Sequence, residues 1–538
     1  VRHHFHILLC ALILIISGCQ KAEENELTRQ GLVYCSEGSP VTFNPQLDIS
    51  GTTADATSHQ LYNRLIDFDP QTGKLVPSLA SSWSVSRDGL TYAFQLRKHV
   101  NFHQTPYFQP GRSFDARDVL FSINRWRDPD HPYHQVSGGR YPYFESLGLQ
   151  ELIKDVSMIN GFRVEIKLNY PDSSFLATLA TDFAVILSQE YASQLMSDNT
   201  PELLDTRPIG TGPFKFDAYR KDAYIRYRRH DGYWEGNQSQ QQLIYDITPR
   251  SSLRLAKLIT GECDVIAYPA QTELQVIEER QDLVLEERPG LNVGFWAFNT
   301  ARPPFDDARV RRALALAVDR KTLLDTVYFD TAVAARGLLP PSSWAFDENL
   351  QESSYNPVQA KKLLQEAGVD SGFSMTIWAM PIERAYNPNA TKMAELIQHY
   401  LAEVGIRARI VSHEWSTFRR LLLQGHHDSV LIGWSADNGD PDNFYRPLLS
   451  CSAISSGSNR ANWCSAEYDR LINQAVRTAD ESVRMRYYQK ANQILADQVP
   501  LVPIAHAYRF QAHRKGLTGM QINPFGGISF ANVSKEPD

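Results

Sequence analysis

The stretch Gly433-Trp434-Ser435-Ala436-Asp437-Asn438-Gly439-Asp440-Pro441-Asp442-Asn443-Phe444 gathers three carboxylates in one short loop. Clustered carboxylates serve acid–base chemistry, metal binding or the holding of an organic cation. Hydrolysis needs a base or nucleophile beside the acids, and none stands nearby in sequence. A calcium loop needs carboxylates at positions 1, 3 and 5, Gly at 6 and Glu at 12. Counted from Asp437, positions 3, 5, 6 and 12 are Gly439, Pro441, Asp442 and Leu448, so that pattern fails. What remains is an acidic loop suited to an ammonium group.

A complementary cation stands in Pro381-Ile382-Glu383-Arg384-Ala385-Tyr386-Asn387. The Arg384 guanidinium presents a planar fork that matches a carboxylate. Each loop follows an apolar strand pattern, 373–379 for Arg384 and 430–434 for Asp437. Open α/β sheets bind ligands beyond the carboxyl ends of their strands. An arginine and an aspartate so placed suit a small zwitterion with its charges held apart.

The surrounding pattern supplies the scaffold. Helical periodicity over 310–318, 357–367 and 390–404 alternates with strand patterns at 373–379, 407–411 and 430–434, with Gly368 and Gly405 as helix stops. That alternation predicts an α/β unit with a largely parallel sheet. Before Pro289 the signals are more β-rich. Trp83 and Val85 alternate, Arg87-Asp88-Gly89 turns, and Tyr92, Phe94 and Leu96 alternate back, which predicts a hairpin. Asp115 is placed to cap a helix through Val119, Leu120, Ile123 and Trp126. Ile209-Gly210-Thr211-Gly212-Pro213-Phe214 lacks the third glycine and the Lys-Ser/Thr of a phosphate loop, and reads as a turn into a strand. His426-His427-Asp428 reads as an exposed polar turn rather than a set of iron ligands.

With 538 residues the chain is too long for one ordinary core. A net charge of −7 argues against nucleic acid as a partner. Mean hydropathy is −0.35, and after the N-terminus no apolar run is long enough to span a bilayer. Residues 5–16 form a short apolar core of the secretory kind, so 1–18 reads as a signal peptide. Ile16-Ser17-Gly18-Cys19 resembles the bacterial lipobox, which makes Cys19 the lipidation site and 19–29 a polar tether. Export permits disulfides among Cys35, Cys263, Cys451 and Cys464, and no C-x-x-C pair supports zinc. Three connectivities are open. Local spacing favours Cys451 with Cys464, leaving Cys35 with Cys263. No H-E-x-x-H or G-x-S-x-G motif is present, so the chain is not expected to be an enzyme, and no cofactor or metal is expected.

The whole resembles the family 5 solute-binding proteins of bacterial ABC importers, the peptide and nickel class. The likeness is carried by Leu32-Val-Tyr-Cys-Ser-Glu-Gly-Ser-Pro40, Leu61-Tyr-Asn-Arg-Leu65, Val136-Ser-Gly-Gly-Arg140, Pro208-Ile-Gly-Thr-Gly-Pro-Phe214, Trp378-Ala-Met-Pro381, Tyr386-Asn-Pro-Asn389 and Asp437-Asn-Gly-Asp-Pro-Asp-Asn443. The resemblance implies an α/β, two-lobed periplasmic binding protein fold with a hinge and an extra inserted domain, three domains in all. Domain I would take residues 30–62, 210–289 and 506–538, domain II 63–209, and domain III 290–505. The implied function is binding of dipeptides in the interlobe cleft, with the ammonium at Asp437 and the carboxylate at Arg384. Ala385, Tyr386, Trp434, Ser435, Ala436 and Ile49 match positions near the ligand, Ile49 replacing a hydroxyl residue. The same resemblance agrees with the disulfide pairing that spacing favours. The implied partners are a small peptide and an inner-membrane ABC permease with its ATPase subunits. The protein is expected as a monomer, lipid-anchored to a membrane facing the periplasm of a Gram-negative bacterium. Lipid-anchored relatives that bind haem or glutathione share the pattern and supply the alternative ligands.

Overall fold

The structure is a computed structural model that describes residues 31–535, apart from 237, 352–353, 370–372, 457–458 and 524. The signal peptide, Cys19 and the tether lie outside the described residues. Among those described, no helix is long and apolar enough to cross a membrane.

The first lobe opens with β1 (Gly31–Ser36), buried along its whole length. An antiparallel four-stranded sheet follows, made of β2 (Ala80–Val85), β3 (Thr91–Leu96), β4 (Ile153–Asn160) and β5 (Arg163–Leu168) in the order β2-β3-β5-β4. The predicted hairpin is β2–β3, with Trp83 opposite Phe94 and Val85 opposite Tyr92. Helix Ala116–Arg127 packs beside it. Asp115 caps that helix, accepting from the Arg117 amide while Asp118 accepts from the Asp115 amide, a reciprocal capping box. The chain returns through β6 (Phe214–Arg220), β7 (Tyr224–Arg229), β8 (Gln242–Ile247), β9 (Val265–Ile266) and β10 (Leu283–Pro289). The glycines of the 209–214 turn permit close backbone approach: a Cβ on Gly212 would sit 2.5 Å from the Leu61 carbonyl carbon. Helix Ser251–Thr260 ends at Gly261 in the left-handed conformation, as its sequence predicts.

The second lobe begins at β11 (Asn292–Phe298) and holds β12 (Ser374–Ala379), β13 (Arg407–Val411), β14 (Ser429–Ser435) and the first part of β15 (Leu501–Arg514). The expectation of a largely parallel sheet needs correction. β12 runs parallel to both β13 and β14, but β11 is antiparallel to β14 and to β15. The reason is connectivity. β11 carries the chain out of the first lobe and β15 carries it back, so the two must run in opposite senses. β15 passes through both lobes, pairing with β11 through Leu501–Ala505 and with β10 through Tyr508–Arg514. At the crossover the Asn292 side chain exchanges bonds with Ala507, donating to its carbonyl (2.8 Å) and accepting from its amide (2.9 Å).

Buried apolar side chains form two large cores. One runs from β1 through the 63–209 segment, and the other fills the lobe built on β11–β14. A smaller cluster surrounds the Cys35–Cys263 disulfide, whose Cα atoms are 5.9 Å apart. Cys451 bonds Cys464.

Candidate ligand-binding cleft

β12 and β14 are parallel neighbours, so their C-terminal ends emerge together where the lobes meet. The loop after β12 tightens into a turn in which Arg384 and Asn387 exchange backbone hydrogen bonds (3.2 and 3.0 Å). The Tyr328 hydroxyl donates to the Tyr386 carbonyl at 2.8 Å and fixes the turn on the lobe. The loop after β14 is held by Asn443, whose Oδ1 accepts from the Asp437 amide (3.0 Å) and from Trp434 Nε1 (3.2 Å).

Both loops face one cavity of about 160 Å³, roughly ten times what one buried water needs. Ile49, Arg384, Ala385, Tyr386, Trp434, Ser435 and Asp437 all line it. Ala436 does not. Its side chain is fully buried in the core of the second lobe, and its amide donates to the Leu291 carbonyl at 2.7 Å.

The three acids of the loop separate by role. Asp440 pairs with Arg484 at 2.7 Å, and Asp442 pairs with Arg446 at 3.0 Å. Asp437 lies on the cavity, and its Oδ2 is buried without a hydrogen-bond partner among the described residues. Burial first, and then the nearby Asp182 carboxylate, push the Asp437 carboxyl well above its usual range. Asp182 itself, 2.7 Å from His59, is held below the ordinary value: its burial is outweighed by His59, Arg64 and Arg509. Arg384 is 8% exposed; its Nη1 donates to Glu37 at 2.9 Å, and its guanidinium lies over the Tyr268 ring. A second ion pair crosses the cleft, between Arg419 of the second lobe and Asp48 of the first, at 3.1 Å.

Sequence reasoning missed Glu37, Asp182, Tyr268, Arg419, Arg460 and Arg509, although all but Glu37 line the cavity. They come from elements hundreds of residues apart, and no spacing rule joins them. Glu37 stands inside the 32–40 motif, the one signal that pointed toward it. The reading of His426–Asp428 as an exposed turn is corrected at His427. That ring is buried, its Nε2 lies 2.8 Å from the Arg460 carbonyl, and burial pulls its pKa down to about 4.

Two lobes joined by crossing strands, with a charged cavity at their junction, define a binding protein that encloses a small ligand. The chain belongs to the bacterial extracellular solute-binding proteins of family 5, whose sequence profile matches residues 74–456. It is 46% identical over 505 residues to the dipeptide-binding protein of Escherichia coli K12, covering 94% of each chain. It is 41% identical over 538 residues to heme-binding protein A of Haemophilus influenzae, covering 98% of each. The fold matches the crystal structure of a dipeptide-binding protein from Pseudoalteromonas sp. SM9913 in complex with Met-Leu. That match has a TM-score of 0.92 at 47% identity, covering 94% of this chain and all of the other.

Proposed function

We propose that this chain is the receptor of a dipeptide importer. It encloses a dipeptide between its lobes, the ammonium on Asp437 and the carboxylate on Arg384, and presents it to an inner-membrane ABC permease. The observation that carries this reading is the unpaired Asp437 carboxylate oxygen, buried in the cavity that Arg384 also lines. A buried acid without a partner costs stability unless a cation completes it. The ligand's ammonium would do so. Fixed charges at both ends count the length of the peptide, while the side chains meet a wall that includes Ile49, Tyr386 and Trp434.

The three-domain division (30–62 with 210–289 and 506–538; 63–209; 290–505) follows from the same reading. The hinge would lie where β10 passes into β11 and β15 recrosses. The protein would act as a monomer, anchored through lipidated Cys19 after loss of residues 1–18, on a membrane facing the periplasm. Relatedness to a heme-binding protein raises haem as a ligand. The described lining offers haem iron no His, Cys or Met, and although Tyr268 and Tyr386 carry phenols of the kind that can ligate it, the opposed charges of Asp437 and Arg384 favour the peptide.

The test is calorimetric titration of ligand-free protein with Met-Leu and with N-acetyl-Met-Leu. Binding of the first that acetylation abolishes supports the reading. Failure of both to bind overturns it, and equal binding of both overturns the role of Asp437.

A further inference from the structure

The cavity holds more positive charge than a dipeptide backbone can use. Arg384, Arg419, Arg460 and Arg509 all line it. Three have partners: Arg384 has Glu37, Arg419 has Asp48, and Arg509 donates to the Asn523 carbonyl near Asp55 and Asp182. The Arg460 guanidinium has no hydrogen bond or ion pair among the described residues.

Its backbone, by contrast, is tightly held. The Arg460 carbonyl faces His427 Nε2 at 2.8 Å. The preceding Asn459, buried, donates to the carbonyls of Ser450 (3.0 Å) and Trp463 (2.8 Å). A fixed stalk therefore carries an unneutralised cation into the cavity, beside Arg419 and Tyr386. Burial and the Arg419 charge pull the Arg460 pKa down to about 10, the direction of a cation that lacks its counter-ion.

We infer that Arg460, with Arg419 beside it, forms an anion subsite that selects dipeptides bearing an acidic side chain. This rests on the dipeptide reading. Once Asp437 and Arg384 have taken the two termini, Arg460 is left for a third charge, and a side-chain carboxylate of Asp or Glu supplies it. A charge-assisted hydrogen bond from a guanidinium already partly desolvated is the strong kind.

Calorimetric titration with Ala-Glu, Glu-Ala, Ala-Gln, Gln-Ala and Ala-Ala tests it, in the parent protein and in Arg460→Met. The expected result is that one acidic dipeptide binds roughly tenfold or more tightly than its amide counterpart. Arg460→Met should abolish that preference and leave Ala-Ala binding within about twofold. Equal affinity for acid and amide in the parent, or a preference that survives Arg460→Met, overturns the subsite. Loss of Ala-Ala binding in Arg460→Met also overturns it, because Arg460 would then be serving the main-chain carboxylate. Failure of every dipeptide in the parent overturns the dipeptide reading, and the subsite with it. Thermal unfolding of the ligand-free proteins gives a readout independent of ligand. Removing a part-buried cation that has no partner among the described residues should leave the Tm unchanged or raised, and a clear fall would mark Arg460 as structural and overturn the inference.

Discussion

Gly294 and Gly433 are direct register partners across β11 and β14, and Tyr386 lies against the bare patch they make. A Cβ on Gly433 would overlap the Tyr386 ring and the Val293 carbonyl, and one on Gly294 would overlap the Tyr386 carbonyl. Two strands thus give up side chains so that the turn carrying Arg384 can settle on the sheet. Gly433→Ala must lift Tyr386 into the cavity. Overpacking of this kind costs about 1–3 kcal/mol of stability. Dipeptide affinity should fall at least roughly tenfold, because a small misplacement of a charged anchor is expensive. Calorimetry and thermal unfolding on one preparation check both.

Asp437→Asn separates binding from stability. Truncating one partner of a buried, charged hydrogen bond costs roughly 2–5 kcal/mol of affinity, about 30- to several-thousand-fold. The ligand-free protein should instead be as stable as the parent or more so, since the substitution removes a desolvated carboxyl group whose Oδ2 has no hydrogen-bond partner among the described residues. Denaturant unfolding without ligand gives the second sign, and titration with Met-Leu the first.

Binding should release a proton at Asp437. Burial and Asp182 raise its carboxyl in the free protein, and an arriving ammonium favours the ionised form. Below the raised free-state value, affinity therefore climbs with pH and then levels off. Ligand-free stability has the opposite slope. With the folded pKa above the unfolded one, the folded state holds more protons, so this contribution is present at low pH and lost as pH rises through the folded value. Titrations in buffers of different ionisation enthalpy should show the release, and Asp437→Asn should abolish it.

The alternation of helix and strand after residue 290, the Asp115 cap and the Gly261 stop were legible because each is a local rule read over a few residues. Arg384 and Asp437 were legible as loop charges at strand ends, where an α/β sheet binds ligands. The antiparallel course of β11 and β15 was not, because it depends on the chain leaving and re-entering one lobe at the same place. Nor were the roles of Asp440 and Asp442, which look equivalent to Asp437 in sequence. What distinguishes them is the arrival of Arg484 and Arg446, and Arg446 in turn depends on a segment almost 300 residues earlier. Ala436 differs from its lining neighbours Ser435 and Asp437 because its side chain packs into the core of the second lobe, a tertiary contact that no local rule carries.

Arg446 ties the acidic loop to the 63–209 segment. From helix Asp442–Leu449 it reaches Asp172 at 3.1 Å, the Leu147 carbonyl at 2.8 Å and its own Asp442 at 3.0 Å, all buried. Arg446→Met keeps the volume but strands two buried carboxylates and a carbonyl, which should cost about 3–5 kcal/mol. The loss should depend on pH. Burial already pushes the Asp442 carboxyl up to about 7, with Arg446 as the largest influence holding it down. Without the arginine that value rises further, so the folded variant pays more to keep Asp442 ionised. The variant should therefore fall furthest behind the parent above pH 7 and recover part of the difference near pH 5, where Asp442 is protonated in the folded state of both. Denaturant unfolding of parent and variant at both pH values checks this, and a stability difference independent of pH would assign the loss to packing rather than charge.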